Sequence, residues 1–135
     1  MYIYAESGKG LHKENDPADF RIDLGTTLEL EGDWEIALLD IDLPTMTKDY
    51  EAMFVTLYSN ICQESIEDGI QRPILYRLFK SYFRSGKALN ITTPHYVPVN
   101  SQSLRTIHIY ILDQRRKKPS FLPGRTTCTL HLRKA

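Results

Sequence analysis

Residues 27–44 read TLELEGDWEIALLDIDLP. Leu28 and Leu30 alternate with Glu29 and Glu31, the two-residue period of a strand with one face in the core and the other in water. Gly32-Asp33 interrupts the alternation, and a glycine there takes positive φ without a Cβ clash. From Trp34 onward the apolar residues Ile36, Ala37, Leu38, Leu39, Ile41 and Leu43 occupy both parities, which suits a central strand covered on both faces. Pro44 ends it, because proline has no N–H to give to a ladder. The stretch predicts a core hairpin, with Trp34 and the leucines inside, and it holds no catalytic group.

The same period runs through the rest of the chain. Residues 2–5 open a first strand, a Gly-, Asn-, Asp- and Pro-bearing loop spans 8–17, and Phe20, Ile22 and Leu24 then alternate with Arg21 and Asp23. In 53–58, Met53, Val55 and Leu57 share one parity and Phe54, Thr56 and Tyr58 the other. Pro73 marks the start of 74–83, whose parities fit a strand better than a short helix. Residues 104–112 are dense in β-branched side chains, and 126–133 place Cys128, Leu130 and Leu132 inward with Thr127, Thr129, His131 and Arg133 outward. About eight strands with such spacing predict one all-β domain over residues 1–135, an antiparallel sandwich or barrel with Greek-key connections, in which 114–123 is a long loop.

A chain of 135 residues buries a sizeable core without a disulfide scaffold or a metal. Cys62 and Cys128 match no zinc or CxxC spacing and read as reduced thiols, Cys128 as a small core residue. The opening MYIYAES has neither a basic leader nor a long apolar run, and no segment reaches the length of a membrane span, which reads as a chain made without a secretory signal. Net charge is zero but unevenly placed. Residues 1–68 hold 16 acids and four bases, a net of −12, and residues 69–135 hold 13 bases and the single acid Asp113, a net of +12. Two readings are open: an acidic patch of one copy meets a basic patch of the next, or strands of the two halves interleave and the charges pair within one molecule.

Catalytic patterns are sparse. His12, His95, His108 and His131 form no HxH or HExxH pair, so no metal centre is predicted. His108 with His131 across neighbouring strands, and Asp40 with Asp42 on one parity, are the only candidates for convergent titratable groups. The plainer reading makes them strand histidines and carboxylates that face solvent or pair with a base such as Arg105. No GxSxG, P-loop or GxGxxG occurs, and Ser7-Gly8-Lys9-Gly10 is a glycine-flanked lysine in a loop. No enzyme, cofactor or metal is therefore expected. The run Arg115-Arg116-Lys117-Lys118 suits nucleic acid or an acidic protein surface, but Phe121 is its only nearby aromatic, against the interleaving a single-strand platform needs. A ligand-binding, lectin-like module would need exposed aromatics, for which Tyr76, Tyr82 and Tyr96 are candidates.

Taken in order, FRIDL (20–24), LELEGDWEIALLDIDLP (28–44), TTPHYVPVNSQSLRTIHIYILD (92–113) and LPGRTTCTLHLRK (122–134) resemble the penton, or minor capsid, proteins of Polinton (Maverick) elements and their adintovirus relatives. Those proteins carry FxxxL, LxLxGxWEVALxEIxYP, an xPxYxPV stretch leading into TIxIxI, and a closing GxxxxTLHFR. The resemblance spans nearly the whole chain, and its most specific part is the combination of WEIAL with TLHLR. Leu43 stands where relatives more often have an aromatic before the proline, and four consecutive bases stand in 114–123 where relatives have a mixed turn. The resemblance implies a single jelly roll in a virion, forming a homopentamer that closes the five-fold vertices of a capsid built from a double jelly-roll major capsid protein. On that implication the candidate contacts between subunits are Glu29, Glu31, Asp33 and Glu35 on one patch and Arg115, Arg116, Lys117 and Lys118 on the other.

Overall fold

The computed structural model describes residues 1–8, 15–83 and 88–135. In chain order the elements are β1 (Tyr2–Glu6), β2 (Asp19–Glu29), β3 (Trp34–Asp42), β4 (Phe54–Ser59), β5 (Ser65–Glu67), β6 (Ile70–Arg72), β7 (Ile74–Phe79), the helical turn α1 (Lys80–Phe83), β8 (Leu89–Asn90), β9 (Val97–Pro98), β10 (Ser103–Asp113) and β11 (Thr127–Lys134). They form the expected all-β antiparallel sandwich. One sheet runs β1-β11-β3-β8, with β9 also paired to β3; the other runs β2-β10-β4-β7; β5 and β6 form a separate hairpin. The pairs are nested. β1 lies against β11, β2 against β10, β3 against β8 and β9, and β4 against β7, so the chain is an antiparallel ribbon folded over on itself.

Period-two sequence becomes layered packing most cleanly in β10. Ile107, Ile109 and Ile111 are fully buried between the sheets, while Thr106, His108 and Tyr110 sit partly exposed on the outer side. They join Phe20, Val55, Leu57, Leu75 and Leu78 from their own sheet, and Ile3, Ile36, Leu38, Ile41, Cys128, Leu130 and Leu132 from the other, in one continuous core. Each such aliphatic side chain contributes roughly 1.5–3 kcal/mol by leaving water.

Several expectations are corrected. Residues 27–44 are not a hairpin: β2 and β3 lie in different sheets, and the connection between them arches across the end of the sandwich. β3 is flanked by β11 on one edge and by β8 and β9 on the other, so it has no edge left for β2. At the crossing Leu30 is buried and its N–H donates to the Gln102 carbonyl at 2.7 Å, while Gly32 adopts φ 82°. Trp34 is half-buried at the strand mouth, packed against the core rather than within it, with Nε1–H donating to the Glu31 carbonyl at 2.9 Å. Residues 20–24 and 28–29 belong to a single strand, whose register slips from Leu104↔Leu28 to Thr106↔Asp23 at a bulge. Met53 precedes β4 and is exposed, and 74–83 is a strand followed by one helical turn.

Candidate interaction surface

The outer face of the β2-β10-β4-β7 sheet gathers aromatics and arginines that are far apart in sequence. Tyr58 and Tyr110 are cross-strand partners, and their rings stack at 5.0 Å; the His108 ring lies 5.2 Å beyond Tyr110, and the Arg116 guanidinium lies 5.2 Å from the Tyr58 ring centre. The β5–β6 hairpin closes over this face. Its tip, Asp68-Gly69, has φ 52° and 76°, the pair of left-handed residues that a two-residue hairpin turn demands. That turn presents Glu67, which is buried and accepts bonds from the Tyr58 hydroxyl, from Arg77, from Arg72 Nη1 at 3.1 Å and from Arg116 Nη1 at 3.4 Å. Arg77 also donates through Nε to Thr56 Oγ1 at 3.2 Å and lies 4.1 Å from the Phe54 ring centre.

Burial alone would raise the Glu67 pKa, but bonds from Tyr58 and Arg77 and the charges of Arg77 and Arg72 outweigh it, so the carboxyl is held below its ordinary range. Tyr58 moves up, through burial first and then through its bond to Glu67. The rings of this column are engaged with one another, with His108 and with Arg116. The column therefore acts as a clamp on the hairpin and lacks the open ring faces on which nucleobases stack.

The basic run follows the end of β10. Asp113 there is buried; its Oδ1 accepts the N–H groups of Arg115 at 2.8 Å and Lys117 at 3.1 Å, and its Oδ2 accepts the Tyr50 hydroxyl at 2.8 Å and Arg115 Nη2 at 3.3 Å. Burial pushes the Asp113 pKa up, yet the Lys117 and Arg115 amides, the Tyr50 hydroxyl and the Arg115 guanidinium bring it below the usual value. Arg116 sits in the left-handed region at φ 64° and turns back to Tyr58, whose hydroxyl accepts its Nη1 at 2.7 Å. Lys118 Nζ bonds Asp16 at 2.8 Å, beside Asp19, whose Oδ1 is 2.6 Å from His108 Nε2. Among the described residues, Lys117 is the one member of the run whose side chain meets no carboxylate.

The acidic candidates lie at the other end of the strands. Glu29 pairs with Ser103 at the start of β10, ten residues before Asp113, which places the two groups about 30 Å apart. Glu35 is bound to Arg133 Nε at 2.7 Å, whereas Glu31 and Asp33 are exposed. Arg72, Arg77, Arg116, Lys118, Arg125 and Arg133, all from the basic half, each pair with a carboxylate from the acidic half. Of the two readings left open by the charge split, much of the charge follows the second and pairs within one molecule.

The candidate catalytic sets do not converge. His108 lies in one sheet and His131 in the other, and Asp40 and Asp42 on β3 are in the sheet opposite to Arg105, which instead reaches Thr27 Oγ1 at 3.5 Å. Among the described residues no three His, Cys, Asp or Glu side chains gather to hold a metal ion; Lys9, Gly10 and His12 lie outside those residues. Tyr76, Tyr82 and Tyr96 do not form one platform. Tyr76 packs on the core, Tyr82 sits exposed in α1, and Tyr96 on the other sheet bonds His131 Nδ1 at 2.7 Å beneath Arg133, 3.4 Å from its ring centre. Tyr2 stacks on the same histidine at 4.7 Å. Both cysteines are buried, and burial pushes each thiol up to about 12.

Two features mark the lateral edges. Between β1 and β2 opens a cleft of about 470 Å³, with Ala5, Ile22 and Cys128 in its apolar lining, Tyr4 beside it, and Glu6, Arg21, Asp23 and Asp40 around it. Across the sandwich, at the end of the outer strand β7, Met53, Phe79 and Tyr82 are exposed, and Lys80 among them is half-buried. The class these observations define is an all-β antiparallel sandwich with distinct lateral edges. No family model matches the chain, and neither a curated protein nor a solved structure matches it.

Proposed function

We propose that this chain is a single jelly roll acting as a penton, or minor capsid, subunit, five copies of which close the five-fold vertices of an icosahedral capsid built from a double jelly-roll major capsid protein. The nested pairing carries the reading. A jelly roll is an eight-stranded ribbon of paired strands wrapped into two four-stranded sheets. With β8 and β9 counted as one interrupted strand and the β5–β6 hairpin as an insertion, the strands here pair first with eighth, second with seventh, third with sixth and fourth with fifth. The sheets then read 1-8-3-6 and 2-7-4-5. The four sequence stretches that carry the penton resemblance include β2, β3, β9 with β10, and β11, all principal strands of that ribbon.

Five-fold closure requires a heterologous contact, in which one patch of a subunit meets a different patch of its neighbour. Because Arg115, Arg116, Lys118 and Glu35 have partners inside the molecule, Glu29, Glu31, Asp33 and Lys117 are left as the exposed charges for docking on the major capsid protein. The test is the mass of the purified protein by light scattering, with negative-stain images. About five times the 15.6 kDa of one chain, as five-fold rings, is expected. A protein that stays monomeric both alone and with the major capsid protein refutes the reading.

A further inference from the structure

We infer that the ring contact runs edge to edge: the Met53, Phe79 and Tyr82 corner of one copy seats in the cleft between β1 and β2 of the next. The inference rests on the pentamer reading above and adds the surface and the residues that close the ring. β1 and β2 are the outer strands of the two sheets on one side, and β7 with β8 and β9 are the outer strands on the other. Each copy therefore has one edge of each kind, which is what a heterologous contact needs.

The chemistry of the two edges is complementary. At the corner, Met53 is 66%, Phe79 53% and Tyr82 48% exposed, a concentration of apolar surface that scattered exposed residues do not produce. Met53 and Lys80 are joined there by a backbone bond of 3.0 Å, and Phe79 pairs with Phe54, ring centres 6.0 Å apart. The cleft offers an apolar lining in about 470 Å³, a volume of the size that holds aromatic groups. Three carboxylates, Glu6, Asp23 and Asp40, and one guanidinium, Arg21, surround it; Glu6 binds Arg125 at 2.6 Å and Asp23 accepts the Thr106 hydroxyl at 3.1 Å, so Asp40 is the rim charge the contact uses.

Charge along the chain has the same sense. Residues 69–112, which supply β6 through β9 and most of β10, contain six Lys and Arg and no acid, whereas residues 1–33 contain eight acids and three bases. An apolar corner carrying Lys80 thus faces an apolar cleft with Asp40 at its rim.

Phe79 lies opposite Phe54, one residue before Val55, which pairs with Asp113, whereas Arg21, Ile22 and Asp23 of the cleft pair with His108, Ile107 and Thr106. The two features stand about 20–25 Å apart along the strands, so they meet between copies whose strands incline to the ring axis. Area agrees as well. A lateral side about 30 Å tall and about 20 Å deep presents roughly 600 Å², close to the roughly 800 Å² per partner of a stable interface.

The experiment compares wild type with Phe79→Asp, Lys80→Asp, Asp40→Lys and the Lys80→Asp/Asp40→Lys double variant, each confirmed folded by circular dichroism, using sedimentation velocity across a concentration series. Each single variant is expected to weaken association about tenfold or more, and the double variant to regain rings because the charges are exchanged in one chain. As a second measurement, Tyr4→Cys/Tyr82→Cys, with both sites exposed and both native thiols buried, treated with a short bismaleimide, is expected to give a covalent ladder up to five. A wild-type pentamer matched by an unchanged Phe79→Asp pentamer, or lacking the ladder, overturns this contact and leaves the penton reading standing. A wild type that is monomeric alone and with the major capsid protein overturns both.

Discussion

Replacing Glu67 by Gln removes the negative charge on which Arg72, Arg77 and Arg116 converge at the outer face of the β2-β10-β4-β7 sheet. The Glu67 side chain is 6% exposed, and its partners Arg72, Arg77 and Arg116 are 15%, 34% and 43% exposed. Breaking a fully buried ion pair destabilises by about 3–5 kcal/mol. Two of these three arginines keep a third or more of their surface in water, which screens their share, and glutamine still accepts one bond from Tyr58. The expected loss is therefore about 2–3 kcal/mol. At this chain length each kcal/mol lowers Tm by about 4 °C, so the midpoint should fall by about 10 °C. Urea unfolding reads the free energy and a thermal scan the midpoint, both followed by near-ultraviolet circular dichroism of the stacked tyrosines. A double-mutant cycle with Arg72→Met should return a coupling of about 1 kcal/mol or more. A loss below about 0.5 kcal/mol, or strict additivity in the cycle, would refute the clamp.

The acid side of the stability curve gives a second test. Folding lowers the Glu67 and Asp113 pKa values, so their stabilisation is complete above the unfolded carboxylate range near pH 4 and is lost as pH falls through the depressed folded values. Asp113→Asn should flatten the dependence of stability on pH below about 4; an unchanged slope there counts against the assignment. Because Cys62 and Cys128 are buried with thiols pushed up to about 12, both should resist a thiol reagent at neutral pH and react on unfolding, and rapid labelling of either in native protein would contradict the packing. Within the basic run, Arg116→Glu sets a carboxylate against Glu67 and should lower Tm by several degrees, about 2 kcal/mol, while Lys117→Glu should leave it within about 1 °C. Equal effects would show that the internal pairing of the run is misassigned.

The strands themselves were legible because a two-residue period is written locally. The inward sets in β10 and β11, and Cys128 as a core thiol, follow directly from parity. The partner of each strand was not legible. Gly32-Asp33 permits either a hairpin turn or an arch between sheets, and what decides is that β11, β8 and β9 occupy both edges of β3, a fact spread over the last third of the chain. Trp34 reads as core by its bulk, yet its place at a strand end leaves it half in water. The Glu67 clamp was invisible for a related reason: Arg116 meets Glu67 across 49 residues and Tyr58 across 58. A linear scan around the basic run could find only Phe121, because the aromatics beside Arg116 arrive on β4 and β10.

The pairing of β1 with β11 also sets a timetable. Ser7 binds the Thr126 amide across 119 residues, and at about 5–20 residues per second synthesis takes roughly 6–24 seconds to supply that partner. During this interval β1 is an unfilled strand edge carrying Tyr2, Ile3 and Tyr4, the kind of edge that accepts whatever complementary strand arrives first. Chains growing beside one another on a single message offer identical β11 strands, so the last strand of one copy competes to complete the first strand of another. The strand pair that seals the sandwich is thus also the point at which a growing chain is open to exchange with a neighbouring copy.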